Sequence, residues 1–229
     1  MFFSSYLILT MDGGRLIFII SLIALVLGLG LLYSGYFESR PGKKKEKSPS
    51  PEEKFFEEVL RVDLSDQGLD LLPAELEKLS SLAELDVSGN NLVGPLPGQI
   101  LRLKSLVKLK AGKNKLSLLP PEIGQLRNLE EVDLSENNLS FLPEEAGSLT
   151  KLKSISLAEN LFEIFPGPLS VLPNLEVIDL SGNRLNKLPS DLTGMLNLKK
   201  LDLRGNKFND EERERIRMNL PKTKVIFNL

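Results

Sequence analysis

Residues 106–128 read LVKLKAGKNKLSLLPPEIGQLRN, and residues 129–151 read LEEVDLSENNLSFLPEEAGSLTK. Laid over each other, they share the form L-x-x-L-x-L-x-x-N-x-L-x-x-L-P-x-x-I-x-x-L. Carried outwards in the same frame, units start at Val59, Leu82, Leu106, Leu129, Leu152, Leu175 and Leu198, each 23 residues after the last except for one step of 24. Self-similarity at this period marks a solenoid, in which one unit cannot bury its own apolar edge and neighbours must stack to do so.

Each place in the unit has a mechanical reason. The L-x-L segment alternates with period two, which predicts a short strand with one buried face. Val62/Leu64, Leu85/Val87, Leu109/Ala111, Val132/Leu134, Ile155/Leu157, Ile178/Leu180 and Leu201/Leu203 make that face. An amide follows each strand: Gln67, Asn90, Asn114, Asn137, Asn160, Asn183 and Asn206. Backbone groups at a turn beside a core need partners, and a stacked amide ladder supplies them. The proline of the L-P pair suits an extended return leg that needs no ladder hydrogen bond.

These motifs resemble the leucine-rich-repeat family over residues 59–208. The resemblance implies an α/β solenoid: a horseshoe of about seven repeats with a parallel concave sheet, and loops or short helices on the convex side. The 23-residue L-P-x-x-I form is similar to the intracellular, Ras-suppressor-like class. Unit two departs from it; its LVGPLPGQI carries one extra residue, as in the plant-type variant.

The ends should be covered, because terminal repeats expose core. Residues 52–58 carry acids and Phe55/Phe56, which fits an N-terminal cap. Residues 209–229 fit a C-terminal cap: Asn209 or Asp210 as N-cap, acids in the first turn, Ile216 and Leu220 turned inward, and a last short strand over 224–227.

The chain before the repeats is different in kind. Residues 16–33, LIFIISLIALVLGLGLLY, contain no charge. As a helix they would reach about 27 Å, near the thickness of a bilayer core. Residues 16–37 are therefore expected to be a transmembrane helix after a tail of residues 1–15. The run is longer than that of an ordinary cleaved signal peptide, and no Ala-x-Ala site follows it. Residues 38–51, ESRPGKKKEKSPSP, read as a basic Pro/Ser linker. The flanking bias, Arg15 against Arg40, Lys43, Lys44, Lys45 and Lys47, places the repeats in the cytoplasm. The alternative leaves them extracellular, luminal or periplasmic.

Composition narrows function. Of 229 residues none is His, Cys or Trp. That removes the usual general base, thiolate chemistry, disulfides and the commonest metal ligands. No glycine-rich phosphate loop occurs, and no aromatic-interleaved basic surface points to nucleic acid. No catalytic activity, cofactor, metal or small-molecule substrate is expected. The repeat family binds through its concave strands, so the resemblance implies a face made by Arg61, Asp63, Glu84, Asp86, Lys108, Lys110, Lys113, Glu131, Asp133, Ser154, Ser156, Asp179, Lys200, Asp202 and Arg204. The plainer reading is that these polar residues keep an exposed sheet soluble. The expected function is that of a membrane-anchored adaptor or scaffold with a protein partner. The alternatives are a structural accessory subunit of a membrane complex and a receptor-like or exported protein.

Overall fold

The computed structural model describes residues 8–12, 15–19, 59–195 and 197–227. Strand β1 (Ile8–Asp12) pairs antiparallel with β2 (Arg15–Ile19), with Asp12 opposite Arg15. The first residues of the expected transmembrane helix are thus in a strand. Leu16, Ile17, Phe18 and Ile19 are apolar, but the last three are also β-branched or aromatic and the stretch follows a Gly-Gly pair, a combination that favours a tight hairpin. Hydropathy alone does not distinguish these outcomes. Among the described residues no helix is long and apolar enough to cross a membrane. The remainder of that run, the linker over 38–51 and the expected cap over 52–58 lie outside the described residues.

From residue 59 the chain climbs in rungs. Seven strands, β3 (Arg61–Asp63), β4 (Glu84–Asp86), β6 (Lys108–Lys110), β8 (Glu131–Asp133), β9 (Ser154–Ser156), β10 (Val177–Asp179) and β11 (Lys200–Asp202), are joined by β12 (Lys224–Ile226) in one sheet. Its order is β12-β11-β10-β9-β8-β6-β4-β3, and every neighbouring pair is parallel. Register is constant: Val62, Leu85, Leu109, Val132, Ile155, Ile178, Leu201 and Val225 are successive partners. All but Val225 are buried in one continuous core with Leu82, Leu106, Leu129, Leu152, Leu175 and Leu198.

The extra residue of unit two has a local effect. A second parallel pair forms on the flank of the solenoid, β5 (Val93–Pro95) with β7 (Lys115–Leu118), and its register shifts between Gly94 and Pro95. Gly94 sits at φ 82°, a conformation that a side chain disfavours.

The convex side is built from short helices. Turns of 3-10 helix cover Ala74–Lys78, Pro121–Gln125, Glu144–Ser148, Gly167–Val171 and Thr193–Met195, and unit two has a single α turn, α1 (Gly98–Leu101). Five of these six follow a proline directly, four of them that of an L-P pair and the fifth that of Phe165-Pro166; Pro73, Pro97, Pro120, Pro143 and Pro166 end the extended leg with φ between −57° and −67°. The ring fixes that angle and thus where the chain turns.

The far end is closed by α2 (Asp210–Asn219). Its N-cap is Asn209, whose side chain accepts from the Glu212 N–H at 2.8 Å. Ile216, Leu220 and Phe227 are buried against the last unit, and the Phe208 and Phe227 rings meet edge to face at 5.8 Å. Glu212 and Arg215 fasten this helix to the sixth unit. The Glu212 carboxylate accepts from Leu188 N at 2.9 Å, while Arg215 donates to Leu188 O at 3.0 Å and Pro189 O at 3.1 Å. Hydrogen bonds from Arg215 hold the Glu212 carboxyl below its ordinary value; burial opposes them and is outweighed.

Candidate functional site: the concave sheet

The register places the outward-pointing residues of the concave strands in rows. The first row is Arg61, Glu84, Lys108, Glu131, Ser154, Val177, Lys200, Lys224; the second is Asp63, Asp86, Lys110, Asp133, Ser156, Asp179, Asp202, Ile226. The predicted face residues on the strands therefore come together on one surface. Lys113 and Arg204 lie just beyond, in the turns.

Beneath that surface the turn amides form a ladder. Asn90, Asn114, Asn137, Asn160 and Asn183 are buried, and Asn206 is half-buried. Each spans two units. Asn137 Nδ2 donates to Leu134 O at 3.1 Å in its own unit and to Ala111 O at 3.0 Å in the one before, and its Oδ1 accepts from Leu116 N at 2.9 Å. Asn160 repeats this with Leu157 O, Leu134 O and Leu139 N. Gln67 stands outside the ladder: its side chain is exposed, and its Nε2 donates only locally, to Ser65 O at 3.0 Å.

The second row has a role that the plainer reading missed. Asp63, Asp86, Asp133 and Asp179 each accept the N–H of the serine two residues on, at 2.9–3.0 Å. The Ser65, Ser88 and Ser181 hydroxyls also donate to the same oxygens. This D-x-S turn bends the chain off the strand and into the asparagine turn. The next residue is left-handed in every unit: Asp66, Lys113, Glu136 and Glu159 at φ 52–54°, and Gly89, Gly182 and Gly205 at φ 66–68°. The recurrence of D-x-S was the available signal. At the left-handed position the signal was partial: glycine precedes the turn Asn in three units, while Asp66, Lys113, Glu136 and Glu159 give none.

A third row lies where each unit enters its strand. Asn128, Asn174 and Asn197 donate to Lys104 O, Thr150 O and Pro173 O, and Ser105 Oγ donates to Ser80 O. Each again bonds to the preceding unit. Strands β6, β8, β10 and β11 are therefore tied to the rung before at both ends.

The charges are arranged across rungs. Arg61 pairs with Glu84 at 3.5 Å, Lys110 with Asp86 at 3.1 Å, Lys113 with Glu136 at 3.8 Å, and Lys108 with Glu131. Pairs of this exposure contribute little each, about 0.2–1 kcal/mol. Hydrogen bonding to Glu131 raises the Lys108 pKa. Burial pushes the Asp86 carboxyl up, but the Ser88 hydroxyl and N–H together with Lys110 hold it below its ordinary value. At the other end Asp202 is buried; Arg204 donates to it twice, at 2.8 and 2.9 Å, and Lys200 lies at 3.7 Å. Burial again raises this carboxyl, and the Arg204 hydrogen bonds and charge outweigh it and lower the pKa.

The sum is a face with polarity. In units one to four the acids outnumber the bases, with Asp63, Asp66, Glu84, Asp86, Glu131, Asp133 and Glu136 against Arg61, Lys108, Lys110 and Lys113. Around strands β9 and β10 the middle of the face becomes small and, apart from Asp179, neutral: Ser154, Ser156, Ala158, Val177 and Ser181. At the C-terminal end Lys200, Arg204 and Lys224 surround the single buried Asp202. Among the described residues no cluster of three or more acids is placed to hold a metal ion. The face is an open curved sheet and offers no enclosed cleft for a small ligand.

The described repeats thus form a parallel-strand solenoid with a buried asparagine ladder and a polar concave sheet. Leucine-rich-repeat family models match residues 81–103, 127–185 and 159–208 of this chain. Among solved structures the chain is similar to a leucine-rich-repeat protein of Leptospira interrogans, with 29% identity and a TM-score of 0.69 over 76% of this chain and 51% of that one. It is also similar to a TDR receptor, with 31% identity and a TM-score of 0.62 over 73% of this chain and 30% of that one. The Arabidopsis receptor kinase HAESA, solved in complex with the peptide hormone IDA and the co-receptor SERK1, matches with 32% identity and a TM-score of 0.56, over 65% of this chain and 26% of that one. This chain thus spans about half the length of the Leptospira protein and under a third of each receptor. No curated protein sequence matches.

Proposed function

We propose that this chain is a membrane-anchored scaffold of the 23-residue leucine-rich-repeat class, with its repeats in the cytoplasm and its concave sheet docked on a protein. The observation that carries the docking reading is the neutral window of Ser154, Ser156, Ala158 and Val177 between an acidic stretch and a basic end. A partner can approach the backbone closely there and is oriented by unlike charges at either side. The anchor reading rests on the apolar sequence of residues 20–37, ISLIALVLGLGLLYSGYF. Even without the residues of β2, 18 residues remain, about 27 Å as helix. Confinement to a bilayer would raise the local concentration of a partner at the same surface and offset a modest affinity.

The test is proximity labelling from the C-terminus in cells, with Ser154→Arg/Ser156→Arg beside the parent chain and Glu122→Arg as a convex control. The expected result is loss of the labelled set in the double variant alone. An unchanged set refutes the concave reading. Protease protection in sealed vesicles tests orientation separately. The receptor structures among the similar proteins favour a second reading, with the repeats on the outer face; digestion only from outside would select it.

A further inference from the structure

Between each convex helix and the next strand the chain crosses the strand-entry flank of the solenoid, opposite the asparagine turns. The sequences there are KLSS (78–81), RLKS (102–105), QLRN (125–128), SLTK (148–151), VLPN (171–174) and GMLN (194–197). They hold five bases, Lys78, Arg102, Lys104, Arg127 and Lys151, all in units one to four, and no acid. Over residues 59–229 as a whole, acids outnumber bases. In units one to four the leucine of each segment is buried and all five bases are exposed. With rungs about 5 Å apart, the basic stripe is about 15–20 Å long.

Neighbouring acids do not neutralise it. Arg102 meets Glu77 at 3.3 Å, and at the edge of the stripe Lys153 meets Glu130 at 2.6 Å. Lys104 and Lys151 bond to neutral groups. Lys104 Nζ donates to Leu101 O at 2.6 Å and Gln125 Oε1 at 2.8 Å, and Lys151 Nζ donates to Asn128 Oδ1 at 2.8 Å. Asn128 in turn donates to Lys104 O at 3.0 Å, which lines up Lys104, Asn128 and Lys151 across three rungs. Arg127 stands beside them, exposed, with no acid in ion-pair reach among the described residues.

We infer that this flank lies on the headgroups of an anionic bilayer, with the solenoid axis along the membrane. The four basic segments contain no aromatic residue and expose no large apolar one, so they lack the anchors of a protein interface and the stacking platforms of a nucleic-acid site. A flat anionic surface needs only a row of cations. The inference rests on the proposed anchor, which would bring the flank to that surface. The described repeats begin at Val59, two residues before β3 and on this same flank, and Lys43, Lys44, Lys45 and Lys47 precede them in sequence. The opposite flank exposes Leu71, Phe141 and Ile164 and carries charges of both signs, among them Asp70 and Glu163. Seated in this way, the solenoid opens its concave sheet sideways, towards partners at the same surface.

The chain contains no cysteine, so an introduced one is its only thiol. Thr150 and Ser140 are exposed on opposite flanks of unit four. Full-length Thr150→Cys and Ser140→Cys each take a fluorophore and are reconstituted in vesicles of phosphatidylcholine alone or with about one-third phosphatidylserine. A headgroup-spin-labelled phosphatidylcholine in both serves as a short-range quencher. With phosphatidylserine, quenching at Thr150→Cys is expected to be at least threefold that at Ser140→Cys, and in phosphatidylcholine alone the excess is lost. Lys104→Glu/Arg127→Glu/Lys151→Glu is expected to abolish the excess, and Arg127→Glu alone, at a side chain the fold does not use, to at least halve it. Lys115→Glu/Lys187→Glu/Lys207→Glu, the same change of charge on the other flank, is expected to leave it intact. Equal quenching at the two sites, more at Ser140→Cys, indifference to phosphatidylserine, or equal loss in both triple variants would each overturn the proposal. Retention in phosphatidylcholine vesicles after alkaline extraction tests the anchor separately. A chain that washes off is added to the same vesicles from outside, where the same comparison decides the flank.

Discussion

Replacing Asn137 by alanine tests the ladder at its centre. The side chain is 6% exposed and makes four hydrogen bonds, three as donor, to Ala111 O, Leu134 O and Ser135 O, and one as acceptor, from Leu116 N. The carbonyls keep other donors: Ala111 O has Asn114, Leu134 O has Asn160, and Ser135 O has Lys113 N. The Leu116 N–H, on a residue with no exposed surface, loses the acceptor it has here. One orphaned buried amide costs about 1–3 kcal/mol, and the small void left behind raises the total to about 2–4 kcal/mol. For a body of this size that lowers the melting temperature by about 5–10 °C. Asn137→Asp is the sharper variant. It keeps the acceptor for Leu116 but turns a carboxylate on three carbonyl oxygens, so at pH 7 it is expected to be at least as damaging as alanine, and to recover as acid protonates it. Gln67→Ala, in the exposed first turn, is expected to cost under about 0.5 kcal/mol. Thermal and urea unfolding followed by circular dichroism measures all three. An Asn137→Ala chain as stable as the parent, or a Gln67→Ala chain equally weakened, would refute the ladder as a cross-unit tie.

Close packing on the convex side gives a second expectation. A Cβ on Gly124 would lie 2.3 Å from the Glu145 carbonyl oxygen, backbone that cannot swing aside, whereas one on Gly98 meets nothing within 4 Å. Gly124→Ala should therefore cost about 1–3 kcal/mol, and Gly98→Ala should be neutral or slightly stabilising, as the same unfolding curves will show. Glu159 holds a left-handed backbone at φ 52°, strain of about 1 kcal/mol for a side chain. Glu159→Gly should raise stability slightly or leave it unchanged, and a clear loss of stability would count against strain at that turn. The carboxyls of Asp86, Asp202 and Glu212 lie below their ordinary values in the folded chain. The unfolded chain then binds more protons, so these groups support the fold above about pH 4 and lose that support as the pH falls through their folded values. Urea midpoints measured from pH 6 to pH 3 should fall, and Asp202→Asn should flatten the slope.

The fold could be read from sequence because its two periods are independent and agree. Alternation in LVKLK marks the strand, and the recurrence of the amide and of the L-P pair marks the rung. A cap at Asn209 or Asp210, which the structure resolves to Asn209, and a last strand over 224–227, which it shortens to 224–226, followed from local chemistry alone. What stayed hidden was geometry that spans units. Asp133 looks like a surface acid until its oxygen is seen on Ser135 N, and Asn128 like a loop residue until its amide is seen on Lys104 O. Such bonds join residues brought together only by stacking, so no single unit reveals them. The polarity of the concave face needed the register as well, since Lys110 neutralises Asp86 from 24 residues away. Over residues 16–19 the misreading came from a property that helix and strand share, since long apolar side chains satisfy either until the pairing partner is known.

The clamp between α2 and the sixth unit has a mechanical consequence. Arg215 and Glu212 skip over the seventh unit to grip Leu188 and Pro189, so the last two rungs are riveted as a block. At the other end the chain enters through β3, with a first turn amide, Gln67, that is not locked in. A pull on the N-terminus against a load held in the curve would peel the first rung long before the last. Among the described repeats, the C-terminal rungs are held as a stiff block and the first rung is the compliant one, like a spring leaf clamped at one side.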